Sequence, residues 1–149
     1  HPVAHSFPTR RSSDLFALTG AYSWEAFIAS LVPTFLVSDL LLLNQFPDVE
    51  ADRSIGRRHF PILVGRESSA VIYGIFLLLA YLAVVVGVIL QLLPVLSLIT
   101  LITSPLGWKT FRSVQRHAGE IPELVPALGM NVILTISTPA LLSLSMFLA

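Results

Sequence analysis

The chain has 149 residues, of which 54% are hydrophobic and only 12% charged, with a formal net charge of zero and no cysteine. Soluble domains carry roughly 25% charged residues, so this deficit, together with long apolar runs, points to an integral membrane protein. Zero net charge leaves no electrostatic case for nucleic acid, and the missing cysteines exclude a disulfide framework and thiol chemistry.

Residues 1–15 stand apart from the rest. The stretch HSFPTRRSSDL, His5 to Leu15, has no apolar core and no cleavage site, so it is not a signal peptide. It resembles the in-frame translation of a widely used short-read sequencing adapter. Residues 1–15 are therefore expected to be artefactual, and the gene to have been cut upstream; the plainer reading is a basic disordered tail. On the adapter reading residues 16–149 are the native part, and 16–23 form a loop or the end of a lost helix.

Apolar segments able to cross a bilayer, which takes about 20 residues, follow in order. The first covers residues 24–46. The second, 69–93, is free of charge. The third, 94–108, is short as an uncharged run and reaches full length only if it continues through KTFRSV. The fourth covers 124–149. No alternating strand pattern appears, so an all-α polytopic transmembrane bundle is expected rather than a β-barrel. Pro33, Pro105 and Pro139 fall inside apolar runs, where they are expected to kink helices.

Beyond Arg10 and Arg11, every Lys and Arg lies on one side of this topology. Arg53, Arg57, Arg58 and Arg66 separate the first and second spans, and Lys109, Arg112 and Arg116 separate the third and fourth. The positive-inside rule makes that side cytoplasmic, in a cell inner membrane.

The loop after the first span, NQFPDVEADRSIGRRHFPILVG, concentrates the charge. Asp48 and Asp52 are four apart, so on a helix they share a face with Cβ atoms about 5–6 Å apart. Pro47 disfavours helical geometry at Phe46 and suits the first position of a new helix, so 47–53 read as a short helical turn. Asn44 is one further step of four back. Gly56 permits a tight turn that could return the following arginines towards the aspartates. Carboxylates suit Mg²⁺, and Arg57 and Arg58 suit phosphate oxygens. Beside a membrane cavity, this set points to a lipid carrying a pyrophosphate. The plainer reading is a solvated loop whose Asp–Arg pairs are worth under about 1 kcal/mol.

The same stretch resembles the second aspartate-rich motif of the UbiA-type intramembrane prenyltransferases, N-x-x-x-D-x-x-x-D-R-x-x-G-[KR]-R followed by an apolar run and Gly. Asn44, Asp48, Asp52, Arg53, Gly56, Arg57, Arg58 and Gly65 fit it, and the resemblance continues to the C-terminus. The look is nearest to the dihydroxynaphthoate, or menaquinone-pathway, branch, with Pro47 where many members have Arg and HFPILVG where that branch reads RTLAVRLG. The resemblance implies about nine transmembrane helices, of which this chain holds about four, the C-terminal half. It implies Mg²⁺-dependent transfer of a prenyl group from a polyprenyl diphosphate to a lipophilic, often aromatic acceptor. Asp48 and Asp52 would bind the metal, Asn44 would orient that site, Arg57 and Arg58 would contact diphosphate, and Arg53 would either join them or brace the aspartates. The first motif, N-D-x-x-D-x-x-x-D, is not in this sequence, so the fragment alone is expected to be inactive. No residue stands out as a general base.

Asp39, inside the first span, is expected to face the bundle interior and to be hydrogen-bonded there, although an intramembrane carboxylate always raises a functional question. His59 is read as an interface residue. Lys109, Arg112 and Arg116 are read as cytoplasmic anchors that could also attract an anionic substrate. Trp24 and Trp108 suit membrane boundaries, and Asn131 suits a bond to a neighbouring helix. The rival function is a secondary transporter: ADRSIGRR resembles the G-x-x-x-D-R-x-G-R-R loop of the major facilitators, but its spacing is off by one, and Asp48 stands where that loop has Gly.

Overall fold

The computed structural model describes residue 20 and residues 23–149, and all its regular elements among these are helical. The expectations for residues 1–15, and for most of 16–23, lie outside the described residues. In chain order the helices are α1 (Trp24–Asn44), α2 (Val49–Ser54), α3 (Phe60–Val64) and α4 (Arg66–Ile89). A 3-10 helix (Val95–Thr103) then runs directly into α5 (Ser104–His117), and α6 (Ile121–Leu148) ends the fold.

Three helices, α1, α4 and α6, are long and apolar enough to cross a membrane. At 1.5 Å per residue, the 24 residues of α4 reach about 36 Å, beyond the roughly 30 Å hydrocarbon core. The segment expected as the third span is not among these three helices and is a composite. Its nine 3-10 residues and fourteen α-helical residues together extend about 39 Å, with KTFRSV in the α-helical half.

The composite has a local cause. Pro105 lies in the first turn of α5 and has no N–H to give Leu101, and the Ser104 N–H takes that carbonyl instead. The Thr100 hydroxyl donates to the Ser97 carbonyl at 2.9 Å, and the Thr103 hydroxyl to the Thr100 carbonyl at 2.8 Å. Such bonds to the carbonyl three residues back favour the tighter winding. Pro105 thus corrects the expectation of a kink within a helix: it marks a junction, where a first-turn proline is tolerated. Pro33 and Pro139 do lie inside α1 and α6.

Packing closes a ring. α1 packs on α4 and α6, and the composite packs on the same two helices from the other side. The connections make this an up-down-up-down bundle, so the ends of α1 and α5 and the starts of α4 and α6 meet at one end. Val32, Leu36, Leu43, Tyr73, Val84, Leu124 and Leu134 are fully buried between them.

A polar seam runs through this core. The Tyr73 hydroxyl donates to Asn131 Oδ1 at 2.9 Å, the bond to a neighbouring helix expected of Asn131. The hydroxyl of Thr103 lies 2.8 Å from those of both Tyr81 and Thr138, and the Ser145 hydroxyl donates to Ser97 at 3.1 Å. In lipid, where apolar surfaces do not drive helices together, such bonds and close packing hold a bundle.

Asp39 does face the interior and is fully buried, but both carboxylate oxygens lack a hydrogen-bond partner among the described residues. That corrects the expectation of a bonded carboxylate. On α6 the Thr135 hydroxyl donates to the Leu36 and Asn131 carbonyls, while Asn131 accepts from Tyr73 and its Nδ2 is likewise without a partner among the described residues.

Candidate functional site

The charged stretch sits at the end of the bundle where α1 stops and α4 starts. Buried positions continue at helical spacing past the end of α1, through Leu42, Leu43, Phe46 and Val49. The intervening residues are held by short bonds, Gln45 N–H to the Leu42 carbonyl and Phe46 N–H to the Leu43 carbonyl. The chain therefore keeps one face on the core while Asn44, Pro47 and Asp48 stand on the exposed face. Pro47 precedes the cap of α2 and is not its first residue, because Asp48 takes the capping position with Val49 following. The Phe46 carbonyl, left free where α1 ends, accepts the Arg66 Nε–H at 3.2 Å and ties the start of α4 to the end of α1.

Asp48 and Asp52 are one helical turn apart: the Asp52 N–H donates to the Asp48 carbonyl at 2.8 Å. The Asp48 side chain makes no cap bond, and no ion pair among the described residues. Its carboxylate stands exposed. Asp52 is different, with a side chain only 15% exposed.

The turn after α2 explains what surrounds Asp52. Gly56 has φ +76°, in the left-handed region that favours glycine. Its N–H donates to the Arg53 carbonyl and the Arg57 N–H to the Asp52 carbonyl, the bond pair of a Schellman motif. The chain doubles back, and Arg57 Nη1 comes to 3.1 Å from Asp52 Oδ1. His59 Nε2 lies 3.1 Å from the other oxygen, Oδ2, an ion-pair approach without the angle of a hydrogen bond. His59 is itself largely buried, and its Nδ1 has no partner among the described residues. A second glycine, Gly65 with φ +87°, turns the chain again into α4.

Of the residues singled out in the sequence, the fold brings Asp52 and Arg57 together and keeps Asp48 one turn away. Arg53 turns elsewhere, 3.8 Å from Glu50 Oε2, while Arg66 approaches the other Glu50 oxygen at the same distance. Arg53, Glu50 and Arg66 line a separate hollow of about 390 Å³. Asn44 and Arg58 are exposed, and Arg58 makes no ion pair among the described residues. His59 is the residue that sequence reasoning placed in an interface. The signal for its contact with Asp52 was the reversal at Gly56, which returns the residues after it to the face of α2.

A half-buried carboxylate flanked by an arginine and a histidine, with a free carboxylate one turn away, is a set suited to Mg²⁺. That ion takes one or two carboxylates and fills its octahedron with water and phosphate oxygens. Among the described residues no group of three or more His, Asp or Glu could hold a metal by itself, so the set fits an ion that draws further ligands from elsewhere.

The model of the UbiA prenyltransferase family matches residues 15–143. No curated protein and no solved structure matches the chain. The match spans nearly all of the bundle and the whole charged stretch, and it lends nothing to a transporter. This helix-bundle membrane chain belongs to the UbiA prenyltransferase family.

Proposed function

We propose that the chain supplies the second carboxylate half of a Mg²⁺-dependent site that moves a prenyl group from a polyprenyl diphosphate to a lipophilic, aromatic acceptor, as in the menaquinone-pathway branch. The observation that carries this reading is the Asp48–Asp52 step with the Gly56 reversal, which sets Arg57 against Asp52. When bound, Mg²⁺ neutralises charge on the departing diphosphate. Asp48 and Asp52 would hold it. Arg57 is more than half exposed, so its guanidinium is free to turn from Asp52 to a phosphate oxygen, with Arg58 beside it. Asn44 stands one turn before Asp48 and would orient its carboxylate or a bound water. Arg53, held by Glu50, would act on the outer edge of the diphosphate.

On this reading the ionised allylic carbon is attacked by an electron-rich carbon of the acceptor, and the arginines stabilise negative charge on the leaving group. Further ligands of the ion then come from water, phosphate oxygens and carboxylates other than Asp48 and Asp52. The charged end faces the cytoplasm of an inner membrane, since the lysines and arginines gather there.

The test is Asp48→Ala and Asp52→Ala in the full-length protein, assayed with a polyprenyl diphosphate and 1,4-dihydroxynaphthoate. Each variant should lose about 10²-fold or more in kcat while inserting into membranes normally. Wild-type activity in both would overturn the assignment. Loss in both with phenolic acceptors active and dihydroxynaphthoate inert would keep the metal site and reject the branch.

A further inference from the structure

Across the ring from α1, the outer face between α4 and α5 carries a groove of about 590 Å³. It is almost wholly apolar, and Leu78, Ile75 and Trp108 on its walls are substantially exposed. Gly74 shapes its floor: a Cβ there would come within 2.4 Å of the Phe111 ring, so the missing side chain lets that ring pack against α4. The size is that of a ligand pocket rather than a packing defect.

A second hollow of about 400 Å³ adjoins it on α5, and Trp108 lines both. This one is basic. Lys109, Arg112 and Arg116 line it, all three are exposed, and none pairs with a carboxylate among the described residues. Arg112 is held in place by Trp108, its guanidinium carbon 5.4 Å from the ring centroid. The hollow occupies the half of α5 nearer the charged end of the bundle, and an amphipathic Trp between apolar and basic surfaces suits the headgroup level of a bilayer.

We propose that the groove and the hollow together form a binding site for one anionic phospholipid, with an acyl chain in the α4–α5 groove and the headgroup phosphate on Arg112, Lys109 and Arg116. The chemistry is complementary at both ends. The apolar walls offer a chain no polar competitor, and among the described residues the hollow's one carboxylate contact is Glu120 on His117, at 3.6 Å, which leaves Lys109, Arg112 and Arg116 unpaired. A zwitterionic lipid would bring its own cation to a cluster that already has three. Clusters of Lys and Arg on the cytoplasmic side of a membrane helix attract anionic headgroups in this way. The site shares no residue with the Asp48–Asp52 centre, and none of its cations pairs with Asp48 or Asp52.

The test is native mass spectrometry of the full-length protein in detergent, titrated with phosphatidylglycerol and, separately, phosphatidylcholine of the same chains. Phosphatidylglycerol should bind the more tightly, and a K109Q/R112Q/R116Q variant should lose about tenfold or more of that preference. Arg112→Lys should retain most of it. Ser104→Trp, which fills the groove, should weaken binding with the basic residues intact, and glycerol phosphate without chains should not compete. Equal binding of the two lipids, a preference untouched by the triple variant, or displacement of the lipid by a polyprenyl diphosphate would each overturn the site. Should the triple variant not fold, Arg112→Gln alone is read against Arg112→Lys, and equal lipid preference in those two would likewise overturn it.

Discussion

The guanidinium of Arg57 lies 3.1 Å from the carboxylate of Asp52, although the end of a helix and a reversal of the chain separate them. The contact exists because Gly56 takes a left-handed conformation, which turns the residues after it back onto α2. A residue with a Cβ pays about 1–2 kcal/mol for that conformation. Gly56→Val should therefore destabilise the purified protein by about that amount and reduce prenyl transfer, while Gly56→Asn, which tolerates the left-handed region, should do much less. Thermal unfolding in detergent beside an activity assay checks it; equal stability of the Val and Asn variants would count against the turn.

His59 approaches the Asp52 oxygen that Arg57 leaves free. Groups that orient a metal-binding carboxylate typically contribute 10- to 100-fold in metal affinity. His59→Ala should raise the Mg²⁺ concentration needed for half-maximal transfer by about tenfold, with near-normal kcat at saturating Mg²⁺. Chelation should abolish activity in wild type and variant alike. An unchanged Mg²⁺ requirement would make His59 a packing residue only.

Tyr73 and Asn131 join α4 to α6 across the core by a buried hydrogen bond of 2.9 Å. Such bonds between membrane helices average about 0.6 kcal/mol, but leaving a buried partner unpaired costs about 1–3 kcal/mol. Tyr73→Phe should lower stability by about 1 kcal/mol, and the Tyr73→Phe/Asn131→Leu pair should recover most of it. Unfolding in mixed micelles measures both; a double variant weaker than the single one by as much again would show two independent contributions.

Asp39 is fully buried and neither of its oxygens has a partner among the described residues. Most substitutions destabilise, yet Asp39→Leu should stabilise the bundle by about 1 kcal/mol or more, because it removes an unpaired polar group from a low-dielectric core. Lower stability in the Leu variant would mean that the carboxylate has a partner within the assembled protein.

Much of this molecule follows from sequence alone. Apolar runs of bilayer length dictate a helical bundle, since lipid offers no partner for an open backbone. The four-residue step from Asp48 to Asp52, and the glycine before Arg57, are local relations that a helix and a turn convert directly into geometry. The gathering of positive charge between alternate spans foretold which helix ends meet. Other features depended on tertiary contact. That Arg53 goes to Glu50 and His59 to Asp52 is decided by where α3 and α4 land after two glycine turns, and spacing in the chain does not carry that information. The 3-10 half of the third span arises from one proline and two threonines acting against an apolar run that reads as ordinary helix. Asp39 shows the limit most plainly. Its burial follows from a position inside an apolar helix, but only the packing decides that the Thr135 hydroxyl on the facing helix goes to backbone carbonyls and that both Asp39 oxygens and Asn131 Nδ2 are left without a partner among the described residues.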